Sequence, residues 1–264
     1  MAAPKLDALR DEYNELLNTC EIKPSRLSDV QEICDTIMKS QSRYQKIGQD
    51  NQVPWFMVAV IHSLEGDLDF GTHLHNGDSL KRRTVNDPPG RPPNGSPPFT
   101  FEESARDALA FDKMNINLEP SFAGICFKLE GFNGFGSRFR GIHTPYLWSF
   151  SNHYIAGKFT SDGHFDPTAV SKQCGGAVIM RRLLEMKEIS FDEHPTPGPE
   201  DDPLIVFSNK KPTDAETLER VKNFQRMLNT HPGIFLVVDG APGQRTSDAT
   251  KAVFGHFLKG DPQG

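Results

Sequence analysis

Apolar residues recur at helical spacing in several separated stretches of the chain. Leu6, Leu9, Tyr13, Leu16 and Leu17 predict a helix over 5–19. Ser28 and Gln31 form a capping-box pattern ahead of the stripe Val30, Ile33, Cys34, Ile37 and Met38, with Gly48 as the natural stop. The next stretch, WFMVAVIHSL at 55–64, is apolar nearly all round and predicts a core helix, opened by Pro54 and closed by Glu65-Gly66. Residues 70–80 read as a short hairpin or turn centred on Asn76-Gly77. Six prolines between 87 and 98 exclude an interior helix or central strand and predict a rigid surface loop. Further helices are expected at 100–111, opened by Thr100 and Glu103, at 121–132, and at 167–187 behind Asp166-Pro167. Between the last two, 131–150 is glycine-rich and loop-like. The acidic, proline-rich stretch 192–203 is the candidate linker. A helix from Thr213 and Glu216, carrying Leu218, Val221, Phe224, Gln225 and Leu228, is followed by a turn and a short helix at 247–258.

Composition narrows function more than fold. The 264 residues suffice for one to two domains, and 36% hydrophobic with 24% charged residues describes a folded chain. No apolar run approaches the ~20 residues that span a bilayer, so no membrane insertion is expected. The N-terminal stretch has no apolar segment behind a basic start, so no Sec signal peptide is expected. Cys20, Cys34, Cys126 and Cys174 are widely spaced with no CxxC pair, which predicts reduced, buried thiols. A net charge of −6 disfavours nucleic acid as a partner. Neither a dinucleotide-binding nor a P-loop glycine motif occurs, and no cofactor is expected.

One carboxylate stands out chemically. Glu65 ends the most apolar helix, where burial and the negative end of the helix dipole both favour the protonated form. A carboxylic acid protonated near neutral pH is suited to general-acid catalysis. Directly after it come Asp67, Asp69, Thr72, His73, His75, Asn76 and Asp78. Farther on, Tyr146, Trp148 and Tyr154 lie among Ser149, Ser151, Asn152 and His153, a mixture that can stack on sugar rings and hydrogen-bond their hydroxyls. His73 and His75 on one face of a strand, with His62 or Asp78, is the alternative zinc reading, which implies a wall amidase.

The segment AVIHSLEGDLDFGTHLHNGDSL, 59–80, resembles the lysozyme-like superfamily, in which a core helix delivers a Glu beside a small hairpin. EGFNGFG, 130–136, is similar to the Asn-Gly-rich loop of goose-type lysozymes and lytic transglycosylases, and TPYLWSFSNHY, 144–154, looks like the same group. The resemblance implies a mainly α (α+β) fold with a lysozyme-like catalytic domain over 1–191 and a small β-hairpin beside the catalytic helix. It implies cleavage of the β-1,4 bond between N-acetylmuramic acid and N-acetylglucosamine, with Glu65 as general acid. Asp78 is the best match for the second carboxylate, with Asp67 and Asp69 as alternatives, and Asn133 matches a sugar-contacting asparagine. Thr72, His73, His75, Asn76, Tyr146, Trp148, Ser149, Asn152 and Tyr154 are then the expected substrate contacts. Arg138, Arg140 and Lys158 are candidates for the anionic lactyl group. The residues fit a lytic transglycosylase or a chitinase on the same fold as alternatives.

The stretch 221–258 resembles the peptidoglycan-binding domain of the three-helix type. Val238, Asp239, Gly240, Gly243, Thr246 and Ala249 match it in order, with Ala241-Pro242 in place of the usual aromatic. Gly240 and Gly243 suit a tight turn, and Thr246 reads as a helix cap. This implies a wall-binding domain over 204–264. The expected whole is a monomeric endolysin-type muramidase acting on bacterial peptidoglycan glycan strands, synthesised in the cytoplasm and released by a holin-type or other non-Sec route. A non-catalytic wall-binding protein is the remaining alternative.

Overall fold

The computed structural model describes residues 4–161, 163–191 and 205–264. Helices account for 47% of the described residues, which contain one two-stranded sheet, a mainly α architecture. The expected linker lies outside the described residues. The chain divides into two compact units, residues 1–13 with 22–183, and residues 14–21 with 184–264. Among the described residues no helix is long and apolar enough to cross a membrane.

The first unit is built around α4, Trp55–Gly66, following the first turn of α1 (Arg10–Asn18), whose residues 14–18 belong to the second unit, and then α2 (Leu27–Lys39) and α3 (Gln41–Asn51). Every residue of α4 from Phe56 to Leu64 is buried, as its unbroken apolar sequence requires. Each fully buried Leu, Ile, Val, Phe or Met side chain contributes about 1.5–3 kcal/mol relative to exposure. The stripe read through Gly48 proves to be two helices: α2 stops at Lys39, and α3 runs through Gly48 to a left-handed Gln52 at φ 57°. The start of α2 follows a single 3₁₀ turn, Pro24–Arg26, with Arg26 rather than Ser28 at the N-cap. Next come α5 (Phe101–Phe111), α6 (Phe122–Asn133) and the single turn α7 (Pro145–Trp148). The Thr100–Glu103 capping box forms as expected.

Residues 70–80 form the turn alternative of the expectation, closed by one antiparallel bridge, Thr72 to Ser79, with no strand pair. The true sheet pairs β1 (Lys158–Ser161) with β2 (His164–Asp166). Asp166 therefore ends a strand, and its carboxylate accepts from the Thr168 and Ala169 amides. The helix expected at 167 begins only at Gly176, as α8 (Gly176–Glu185). Gly176 allows that start to close on the core: a Cβ there would lie 2.7 Å from Val60 Cγ1 and 3.2 Å from Leu64 Cδ1.

The second unit contains α9 (Ala215–Leu228) and α10 (Gln244–Phe254). Its core includes Ile205, Val221, Phe224, Leu228, Ile234, Leu236, Ala249, Val253 and Leu258. The cap of α9 is Asp214, which accepts from the Thr217 amide. Thr246 lies inside the first turn of α10 rather than capping it, and Gly255, at φ 85°, ends that helix before the expected 258.

Candidate active site

The acid helix ends where the sequence says it should. Asp67 adopts φ 48° and its amide returns to the His62 carbonyl, leaving the partly buried Glu65 side chain at the negative end of α4. The Tyr146 hydroxyl donates to Glu65 Oε1 at 2.9 Å. Burial pushes the Glu65 carboxyl up to about 7, against the lowering effect of the Tyr146 hydrogen bond and with a further upward push from Asp112. No cation among the described residues contributes to this balance. Burial and the neighbouring Glu65 raise the Tyr146 hydroxyl well above its ordinary range, so it remains a donor at neutral pH. The Phe132 ring, at the end of α6, lies 6.3 Å from that of Tyr146. Four elements thus converge, with α4 contributing the acid, α7 its hydroxyl partner, α6 an aromatic ring and the end of α5 a second carboxylate.

That second carboxylate is Asp112, the C-cap residue of α5. Burial raises it to about 6, with Arg91 lowering it and Asp107 and Asp87 raising it. Arg91 is itself committed to Asp107, with Nε at 2.9 Å from Oδ2 and NH2 at 2.6 Å from Oδ1. Asp112 is not among the residues singled out in the sequence, although it too is a carboxyl at the C-terminal end of a helix with apolar neighbours.

Asp78 does not take the expected role. Its Oδ2 accepts from the Val85 and Asn86 amides at 2.7 and 2.9 Å, and its Oδ1 from the Asn86 side chain at 2.8 Å. Burial opposes its ionisation, but these donors outweigh burial and hold it below the usual carboxylate range. It ties the proline-rich loop to the turn. Gly77, at φ 75°, sets that turn against the acid helix: a Cβ there would lie 2.3 Å from the Glu65 carbonyl oxygen. Asn76 is spent in the same way, its amide donating to the Asn86 and Asp87 carbonyls at 3.1 and 3.3 Å. Thr72 donates to the Asp69 carbonyl.

His73 and His75 are core residues, not substrate contacts. His73 Nε2 faces the Arg82 carbonyl at 2.8 Å, so it carries the proton, and Nδ1 accepts from Ser104 Oγ at 2.9 Å. His75 Nε2 bonds Asp107 Oδ2 at 2.9 Å. Burial lowers the His75 pKa. His62 bonds the Tyr44 hydroxyl through Nδ1 and is enclosed by the Phe70 and Phe101 rings. Among the described residues no group of three His, Cys, Asp or Glu side chains could hold a metal.

The aromatic stretch also divides. Trp148 is 1% exposed, against Phe122 and His153, and cannot stack on a sugar. Tyr154 is buried, with its hydroxyl shared between the Gly157 and Ala169 carbonyls. Ser149 is buried as well. Asn152 and Asn133 are exposed, Asn133 one residue beyond Phe132. Arg138 is bound by Glu130 and Glu12, whereas the exposed Arg140 lies 4.5 Å above the Phe165 ring.

In the second unit, Gln225 explains the motif physically. Its amide donates to Asp239 Oδ1, the Ala241 carbonyl and Thr246 Oγ1, each at 3.1 Å, and its Oε1 accepts from the Gly240 amide. One buried side chain therefore holds the whole Asp-Gly turn. Comparison with family models, curated proteins and solved structures returns no match.

Proposed function

We propose that the protein is a peptidoglycan hydrolase of the endolysin type, with Glu65 as the general acid that protonates the leaving oxygen of a β-1,4 glycosidic bond. The observation that carries this reading is the Glu65 carboxyl, raised to about 7 by burial against the opposing hydrogen bond from Tyr146, with no cation among the described residues to neutralise it. Because Tyr146 donates to Oε1, the acid proton belongs on Oε2, which is the oxygen free to deliver it. Positioned general-acid catalysis contributes about 10²–10⁴-fold.

Asp112 replaces Asp78 as the second carboxylate of this reading. Ionised above about pH 6, it assists the attacking water or stabilises positive charge on the sugar ring. Exposed Asn133 and half-exposed Phe132 supply a hydrogen-bonding edge and an apolar face beside Tyr146. The second unit holds the enzyme on the wall and raises its local concentration there. The deciding experiment digests purified bacterial peptidoglycan with the wild type and with Glu65→Gln, followed by mass spectrometry. Reducing muramic acid ends from the wild type alone support the proposal. Anhydro-sugars would reassign the chemistry to transglycosylation, and release by Glu65→Gln at the wild-type rate would end it.

A further inference from the structure

The C-terminal end of α4 also lines an open cavity of about 770 Å³ that this catalysis does not use. Ser63, Asp67, Leu68 and Asp69 form one side and the α2 face bearing Asp29, Glu32 and Ile33 another, with Lys172 and Gln173 on the approach to α8. Its size lies within the roughly 300–1,000 Å³ of small-ligand pockets. Ser63 is 6% exposed and lines the cavity, yet its hydroxyl has no hydrogen-bond partner among the described residues. Its carbonyl accepts from the Gln173 side chain at 3.4 Å.

The charges in the cavity are unevenly matched. Asp29 pairs with Arg26 at 2.9 Å, and Arg26 in turn lies 4.6 Å above the Phe150 ring. Glu32, Asp67 and Asp69 have no ion-pair partner among the described residues, and neither has Lys172. Asp67, Leu68 and Phe150 all hold positive φ, at 48°, 62° and 76°, so three strained non-glycine residues border one cavity.

We infer that this cavity binds a short peptide carrying both a free side-chain ammonium and a carboxylate, the chemistry of the stem peptides that peptidoglycan bears on its muramic acid. The inference rests on the wall-glycan reading of Glu65. Glu32, Asp67 and Asp69 answer the ammonium, Lys172 the carboxylate, and Ser63 a peptide amide, while Ile33 and Leu68 cover the backbone. Glu32, Asp67, Asp69 and Lys172 are all exposed, so a neutral glycan would leave their charges to water, and a polyamine would meet the Lys172 charge.

The test is calorimetric titration of the full chain with a tetrapeptide of L-alanine, γ-D-glutamate, L-lysine and D-alanine, and with its Nε-acetyl form. Acetylation, or the pair Glu32→Gln with Asp67→Asn, weakens binding by about threefold, the effect of losing one exposed ion pair. Asparagine tolerates the left-handed backbone at 67, which protects folding. The same double variant raises KM on intact walls with kcat unchanged and leaves cleavage of stem-free chito-oligosaccharides alone. Absence of peptide binding, or equal binding of the acetylated peptide, overturns the inference. Glu65→Gln binds the peptide as the wild type does, so failure of the catalytic reading registers only in the cleavage assay.

Discussion

Glu65 and Glu130 are the same residue type in nearly the same local setting, and they differ in one partner. Both lie toward the C-terminal end of an apolar helix, and both accept from a tyrosine hydroxyl, Tyr146 at 2.9 Å and Tyr13 at 2.6 Å. Glu130 also meets Arg138, with Nε at 3.0 Å and NH2 at 2.8 Å from its two oxygens. Glu65 instead faces the electrostatic push of Asp112. A buried carboxylate beside a guanidinium is a structural charge, whereas one beside another carboxylate keeps a proton it can give away. Burial alone does not separate them, since Glu130 is 1% exposed.

The sharpest way to break this comparison is to remove the charge from each. Glu65→Gln lowers wall lysis by about 10²–10⁴-fold in a turbidity assay with muropeptide analysis, while the fold is retained. Glu130→Gln leaves Arg138 with Glu12 alone and costs about 3 kcal/mol of stability in urea unfolding, with activity per folded molecule unchanged. If Glu130→Gln abolished cleavage in the folded protein, the division of roles would fail.

Stability should respond in opposite directions. The folded Glu65 carboxyl titrates near 7, above its ordinary 4.5, so the native state holds that proton more tightly than the unfolded chain. Stability from this group is complete below about 4.5 and is lost as pH rises through 7, by at most about 3 kcal/mol. Glu65→Gln therefore raises the melting temperature at pH 8 and changes it little at pH 4, the reverse of the loss at Glu130. Equal melting shifts at the two pH values would contradict a raised Glu65 pKa.

The two carboxylates also predict a bell-shaped profile of kcat/KM. Activity rises as Asp112 ionises near 6 and falls as Glu65 loses its proton near 7. Asp112→Asn flattens the acidic limb and lowers the maximum, so an unchanged profile would remove Asp112 from the mechanism. The smallest effect belongs to Tyr146→Phe. Its hydroxyl lowers the Glu65 pKa, so its loss moves the basic limb to higher pH. A shift to lower pH would show that Tyr146 serves another purpose.

The helices were legible because burial writes a period into sequence. The all-round apolar run at 55–64 could only be a core helix, and the Thr100–Glu103 box could only open one. The position of Glu65 at the end of that helix was legible for the same reason. The aromatic stretch was not, because a stacking platform and a core use the same residue types. Tyr146 turns its hydroxyl onto the acid while Trp148, two residues on, disappears into the interior. His73 and His75 look like cleft residues until Ser104, Asp107 and the Arg82 carbonyl account for their nitrogens.

By itself the sequence determined the mainly α character, the core helix and the carboxyl at its end, since each follows from near-neighbour spacing and solvent preference. Tertiary structure alone decided which carboxylates share a site. Asp78 is 13 residues from Glu65 and spends its oxygens on the 85–86 loop, whereas Asp112 is 47 residues away and acts on the Glu65 proton. The reason is physical: ionisation depends on charge and solvent within a few ångströms, and folding sets those distances without regard to separation along the chain.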